Sequence, residues 1–349
     1  MGGRKMKVVP VALSLAATMI APTYIMGVPA QVYSRGIVMI MASAGSLFAI
    51  IISAELFLPL YHRYEISSVN TYLYNRYQSR TLQMVASIVY TISLIPWIAI
   101  ILYIQALILK SISGLSENWS ILLSGVFVTF YTSIGGLKAV VWTDAVQSVL
   151  ICAGLLAIII KGTLEVGGIS NVLQRSIDGG RMDFSSWTFN IYMPTNIWSL
   201  IFGSVIIFAS EFGSGQMVIQ KACSLPTLAK AKISIYSSFI GILITDLVCI
   251  YLGLLIFAYY YTCDPLESSK ISSVDEILQY FILDSMANIK GVPGLNAAAA
   301  LLWEDIISKF LKNASPRKAL YLTKLSALIA GLISTAIAFL VPHMGQLIE

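Results

Sequence analysis

The chain has 349 residues, of which 57% are apolar and 11% charged, and its formal net charge is +5. A soluble domain carries roughly 25% charged residues, so this composition cannot clothe a soluble globule and argues against a soluble enzyme or a disordered scaffold. No run of five like charges offers nucleic acid a basic patch.

In chain order, apolar stretches able to cross ~30 Å of hydrocarbon lie at about 8–33, 37–60, 82–109, 119–137, 145–160, 197–219, 233–260 and 319–341. No alternating strands of ~10 residues occur, so helices are the spanning form. The first stretch follows Arg4, Lys5 and Lys7 and runs on past Ala21. That is too long for the apolar core of a secretory signal peptide. It is interrupted by Ala21-Pro22-Thr23 and by Gly27-Val28-Pro29, where proline removes a donor and crowds the preceding turn.

After the second stretch, residues 61–80 interleave Tyr64, Tyr72, Tyr74 and Tyr77 with Arg63, Arg76 and Arg80. Val69, Tyr72, Leu73, Arg76 and Tyr77 share a helical face, as in a short helix lying in the headgroup layer. Asn118-Trp119-Ser120, ahead of the fourth stretch, is a glycosylation sequon. Asp144-x-x-Gln147, at the start of the fifth, has the spacing of a helix cap, and its carboxylate also suits a cation path.

The sixth stretch contains Ser210-Glu211-Phe212-Gly213-Ser214-Gly215, costly in hydrocarbon unless it lines a cavity. Asp246, in the seventh, is an intramembrane acid with no partner by spacing. With the N-terminus in the cytoplasm, ten Lys and Arg fall on inner segments and seven on outer ones through the seventh stretch. That bias favours this orientation and puts Asn118 outside.

The first and sixth stretches each open a block of helices, and interrupted helices at matching places point to the binding site of a secondary transporter. Freed carbonyls bind a cation there, and half-helix N-termini hold an anionic group. Cys152, Cys223, Cys249 and Cys263 have no metal-binding spacing, and His62 and His343 lie far apart. No acid–base or metal constellation for a membrane enzyme, no resident cofactor and no phosphate-binding loop is legible.

These residues resemble the sodium:solute symporter family, in the branch of the sodium-dependent multivitamin, monocarboxylate and iodide transporters. The most specific stretch is 131–147, Tyr-Thr-Ser-Ile-Gly-Gly-Leu-Lys-Ala-Val-Val-Trp-Thr-Asp-Ala-Val-Gln. Gly2-Gly3-Arg4, the segment from Leu13 to Ala30, Gln216-Met-Val-Ile-Gln220 and the loop from Tyr260 to Asp275 carry the rest.

The resemblance implies an all-α polytopic membrane protein with leucine-transporter-type inverted five-helix repeats and alternating access. Residues 1–161 would form the first repeat, 162–196 an extracellular loop and 197–349 an incomplete second repeat. The carbonyls of Ala17 and Ile20 would hold sodium, with Asp144 linked to its route. Thr23, Tyr24, Trp97, Glu211, Gly213 and Gln216 match substrate positions, although Gly215 stands where the family usually has Asp or Asn.

Val292-Pro-Gly-Leu295 leads directly into Asn296-Ala-Ala-Ala-Ala300, where family members insert a helix bearing a Ser-Ser pair that completes the sodium site. The chain therefore resembles a truncated, internally deleted form, expected as written not to couple sodium to solute. The implied function is sodium-driven symport of a small organic anion or vitamin-like solute by a multi-pass protein of the plasma membrane. A non-transporting form acting as a membrane or regulatory partner is the alternative. The expected partners are sodium, a small solute and the lipid bilayer, with no nucleic acid.

Overall fold

The computed structural model describes residues 6–20, 22–64, 69–183, 196–271, 273–286 and 332–339, without the side chains of 22–23, 107–108, 111–113, 127–128, 130–143, 145–147 and 150. The described residues form helices and turns, with no strand among them.

Helix α1 (Val8–Met19) buries Val11, Ser14 and Leu15, and its proline, Pro10, sits in the first turn, where a missing N–H costs nothing. It stops because Ile20 leaves helical geometry at ψ 62°, ahead of Pro22. Pro22 then opens α2 (Pro22–Arg35) at the position where its fixed φ favours a helix start. The two axes bend by 53°. The expected break in the first span is thus present, while Pro29 is carried inside α2.

A 3₁₀ turn at Ile37–Ile40 leads into α3 (Met41–Ile52), a π turn at Ser53–Phe57 and α4 (Leu58–Arg63), and these run on as one span of 27 residues. The Tyr-rich segment forms the expected short helix α5 (Val69–Tyr77). Helix α6 (Arg80–Ser113) starts where Ser79 Oγ accepts from Leu82 N at 3.2 Å, and it ends at the left-handed Gly114.

Helix α7 (Glu117–Val166) covers both the fourth and fifth expected spans without a stop. Gly135 and Gly136 lie inside it. Each glycine costs about 1 kcal/mol in a helix interior, which is less than leaving backbone groups unpaired in hydrocarbon. Part of the expected outer loop is also helical. Gly167 and Gly168, at φ 94° and 105°, turn the chain by 76° into α8 (Ile169–Asp178), a backbone geometry that only glycine adopts without strain.

Helix α9 (Ile197–Ser214) is capped by Asn196 Oδ1, which accepts from Ser199 N at 2.6 Å. It gives way at Gly215 (φ −66°, ψ 121°) to α10 (Gln216–Ala222). The interruption of the sixth span is therefore one residue wide. A Cβ at Gly215 would lie 2.3 Å from Glu211 O, so only glycine fits. Helix α11 (Leu228–Tyr259) and α12 (Ile277–Met286) complete the long described elements. Among the described residues, four helices are long and apolar enough to cross a membrane, or six spans where each of two bent pairs is taken as one.

Contacts divide the chain into two compact units, 1–69 with 144–290, and 70–143 with 291–349. In the first, α3 packs along α9, and α11 packs on α1 and α2. The backbones of α3 and α9 come close because Gly45 has no side chain, and a Cβ there would meet Ile201 O at 2.3 Å. This unit draws on both expected repeats, since α1–α3 and α9–α11 lie in it. In the second unit, Ala99, Leu102 and Ala106 of α6 pack with Ile121 and Ala338.

Candidate functional site

The end of α1 carries a compact polar cluster. Ser14 and Thr18 stand one turn apart, and Thr18 Oγ1 donates to Ser14 O at 2.7 Å. Ser14 Oγ donates to Asp144 Oδ2 at 2.7 Å, and Lys221 Nζ of α10 reaches the same oxygen at 2.6 Å. Lys221 also donates to Thr18 Oγ1 at 2.7 Å and Ser14 O at 3.3 Å. Three helices, α1, α7 and α10, thus meet at one carboxylate. Ser148 Oγ, one turn on in α7, ties Asp144 O to α1 through Leu13 O.

Asp144 lies inside α7 rather than at a helix start, so it does not cap. Lys221 is 5% exposed, and its donors are taken up by Asp144, Thr18 and Ser14. Beside this cluster lies the break. Ala16 O and Ala17 O each receive Ile20 N at 3.2 Å, closing the last turn of α1, and Ile20 is the last residue before the chain turns away.

Beyond the break, Tyr24 of α2 donates its hydroxyl to Asp246 Oδ1, and Ser43 Oγ of α3 donates to Asp246 Oδ2 at 2.5 Å. Asp246 is 4% exposed, midway along α11. These three residues form the polar end of a cavity of roughly 70 Å³, whose apolar wall includes Val28, Met39, Phe208 and Ile250. Two polar centres therefore flank the same break, one at each side.

The other sequence-selected residues divide. Glu211 is exposed on α9, one turn past Phe208, and its carboxylate folds back toward Gly215. Gly213 is buried against Phe57, whose ring a Cβ would meet at 2.8 Å, so its smallness serves packing. Gln216 Oε1 accepts Val69 N at 2.8 Å and so holds the start of α5. The side chain of Thr23 lies outside the described residues, and Trp97 belongs to the second unit, half exposed on α6.

Asn118 is exposed in the first turn of α7, with the Ser120 hydroxyl bonded to Ser116 O at 3.1 Å. Residues 291–331, on which the expected loss of a helix after Leu295 bears, lie outside the described residues. No group of three His, Cys, Asp or Glu residues able to hold a metal occurs among the described residues.

Lys221 escaped sequence reasoning because it read as one of several inner cations. Its neighbours Val218, Ile219 and Ala222 are all buried, and that apolar setting was the available signal. Asp246 stood out by its position, but its partners come from helices about 200 residues away in sequence.

The family model for the "Sodium:solute symporter family" matches residues 1–275. Sodium-coupled monocarboxylate transporter 1 of Mus musculus is 32% identical over 366 aligned residues, covering 100% of this chain and 60% of that protein. The sodium/iodide cotransporter of Homo sapiens is 30% identical, covering 99% and 56%. The chain thus spans about 60% of the length of the curated relatives it matches.

A solved Na⁺-coupled sialic acid symporter, in a substrate-bound outward-open state, superposes with a TM-score of 0.82 at 24% identity. That match covers 97% of this chain and 75% of that one, and it shows the leucine-transporter-type fold. With an all-α membrane architecture and a family match over most of its length, the chain belongs to the sodium:solute symporter family.

Proposed function

We propose that the chain's helices serve sodium-coupled symport of a small organic solute, a monocarboxylate or similar anion, by alternating access. The observation that carries this reading is the pair of polar centres flanking the break after Met19, Asp144 with Ser14 and Thr18 on one side and Tyr24 with Asp246 on the other. An unwound span with polar groups gathered at its two ends supplies what a desolvated cation and a solute both need.

Sodium would bind at the carbonyls of Ala17 and Ile20, with Asp144 drawing it along the inner route. Lys221 already satisfies Asp144, so sodium would compete with that ammonium for the carboxylate. Thr23, Tyr24, Glu211, Gly213 and Gln216 would supply the solute contacts. Monocarboxylates are what the names of the relatives at 30–32% identity state. The protein would be multi-pass in the plasma membrane with a cytoplasmic N-terminus, following its inner cations.

The test is lactate binding to the purified chain in lipid nanodiscs, with and without sodium, beside uptake by a form that restores a helix after Leu295. Lactate binding by the first and gradient-driven, sodium-dependent uptake by the second are expected. No sodium dependence in either would leave the chain as a membrane partner without transport.

A further inference from the structure

Asp246 is a carboxyl group in the middle of a 32-residue membrane helix, and the sodium route makes no use of it. Its two oxygens each receive one hydroxyl, from Tyr24 and Ser43, and both donors are neutral. Among the described residues, no cation faces it from the packed neighbours. Helix α1, the 3₁₀ turn at 37–40 and α3 contain no ionisable residue. Helix α2 brings Tyr24, with Tyr33 and Arg35 in its last turn, α9 carries Glu211 one turn past the cavity-lining Phe208, and α11 itself adds the thiol of Cys249 one turn on.

The charged groups on the remaining neighbours are engaged elsewhere. Arg175 bonds Ala258 O, Lys221 pairs with Asp144, Glu55 with Lys232, and Asp284 with Tyr260. Asp178 accepts from Gln174, and His62 and Arg63 follow Glu55, level with the start of α11. Lys232 is 14 residues before Asp246 on that helix, about 21 Å along the axis.

A bare carboxylate at this depth is not offset by two neutral hydroxyls. Sodium would need several oxygen ligands in place of its water, yet both hydroxyls already turn their hydrogens to the carboxylate. The rest of the wall, including Val28, Phe208 and Ile250, adds no side-chain oxygen. A proton needs neither room nor further ligands.

We propose that Asp246, Tyr24 and Ser43 form a proton-binding site within the bilayer, at the polar end of the cavity beside the break. Protonation at Oδ1 or Oδ2 leaves a neutral acid whose O–H turns to one hydroxyl oxygen while the other hydroxyl still donates. An anionic solute is admitted to the cavity when the proton is on and repelled when it is off. The site rests on this geometry alone and stands whether or not the chain transports.

The test is infrared difference spectroscopy of the chain in nanodiscs, titrated between about pH 5 and 9 with and without sodium or methylammonium. We expect the carbonyl stretch of a protonated carboxyl at neutral pH, lost in Asp246→Asn and shifted in Ser43→Ala and Tyr24→Phe, where one partner is removed. In the unmutated chain, ¹³C-labelled aspartate should move the same band, which assigns it without any variant that could misfold. Absence of an aspartate band across the range would overturn the proposal. A band abolished by sodium or methylammonium at constant pH would also overturn it, by making the site one for a larger cation.

Discussion

Lys221 Nζ stands 2.6 Å from Asp144 Oδ2, and the two side chains are 6% and 22% exposed. Removing one member of such a pair leaves an uncompensated buried charge, whereas removing both does not. Lys221→Met should therefore destabilise the protein by about 3 kcal/mol, toward the lower end for buried pairs because Asp144 keeps some solvent. Lys221→Met combined with Asp144→Asn should recover most of that loss. Thermal unfolding of the detergent-solubilised protein checks both.

Asp144→Asn alone separates two roles. Asn retains an oxygen for Ser14 but loses the charge that attracts a cation and holds Lys221. If the carboxylate serves the sodium route, apparent sodium affinity should fall tenfold or more, which corresponds to about 1.4 kcal/mol. Solute affinity at saturating sodium should change much less. Paired sodium and lactate titrations measure the difference.

Gly215→Ala tests the one-residue interruption between α9 and α10. The new methyl would sit 2.3 Å from Glu211 O, a backbone atom that cannot swing aside. The junction must shift, at a cost of about 1–3 kcal/mol. We expect a lower unfolding temperature and weaker solute binding together. By contrast, Gly27→Ala has nothing within 4 Å to meet and should leave both unchanged.

Tyr24→Phe removes one of two donors to Asp246 while keeping the ring that walls the cavity. Loss of a hydrogen bond to a buried acid costs about 1–3 kcal/mol. The change should appear in solute affinity and its pH dependence rather than in sodium affinity, since Tyr24 lies across the break from Asp144. Lactate titrations at several pH values read it.

The break after Met19 was legible in the sequence because proline acts locally. Pro22 dictates where α1 must end whatever packs around it. The short helix at Val69–Tyr77 was legible for a similar reason, since its aromatic and basic periodicity needs no partner. The union of two expected spans into α7 was not, because Gly135 and Gly136 weaken a helix without forbidding it.

The close packing of Gly213 was not legible, because it depends on Phe57 lying opposite. The roles of Lys221 and Asp246 depend on partners from distant helices, Ser14 and Thr18 in one case and Tyr24 and Ser43 in the other. Spacing within a single helix carries no record of such pairings.

Equilibrium binding of radioactive sodium to the purified chain in nanodiscs, for the unmutated protein and for Asp144→Asn, tests the central claim most directly. The prediction is saturable sodium binding that the substitution weakens at least tenfold. Sodium binding that is absent, or present and indifferent to Asp144→Asn, would contradict it.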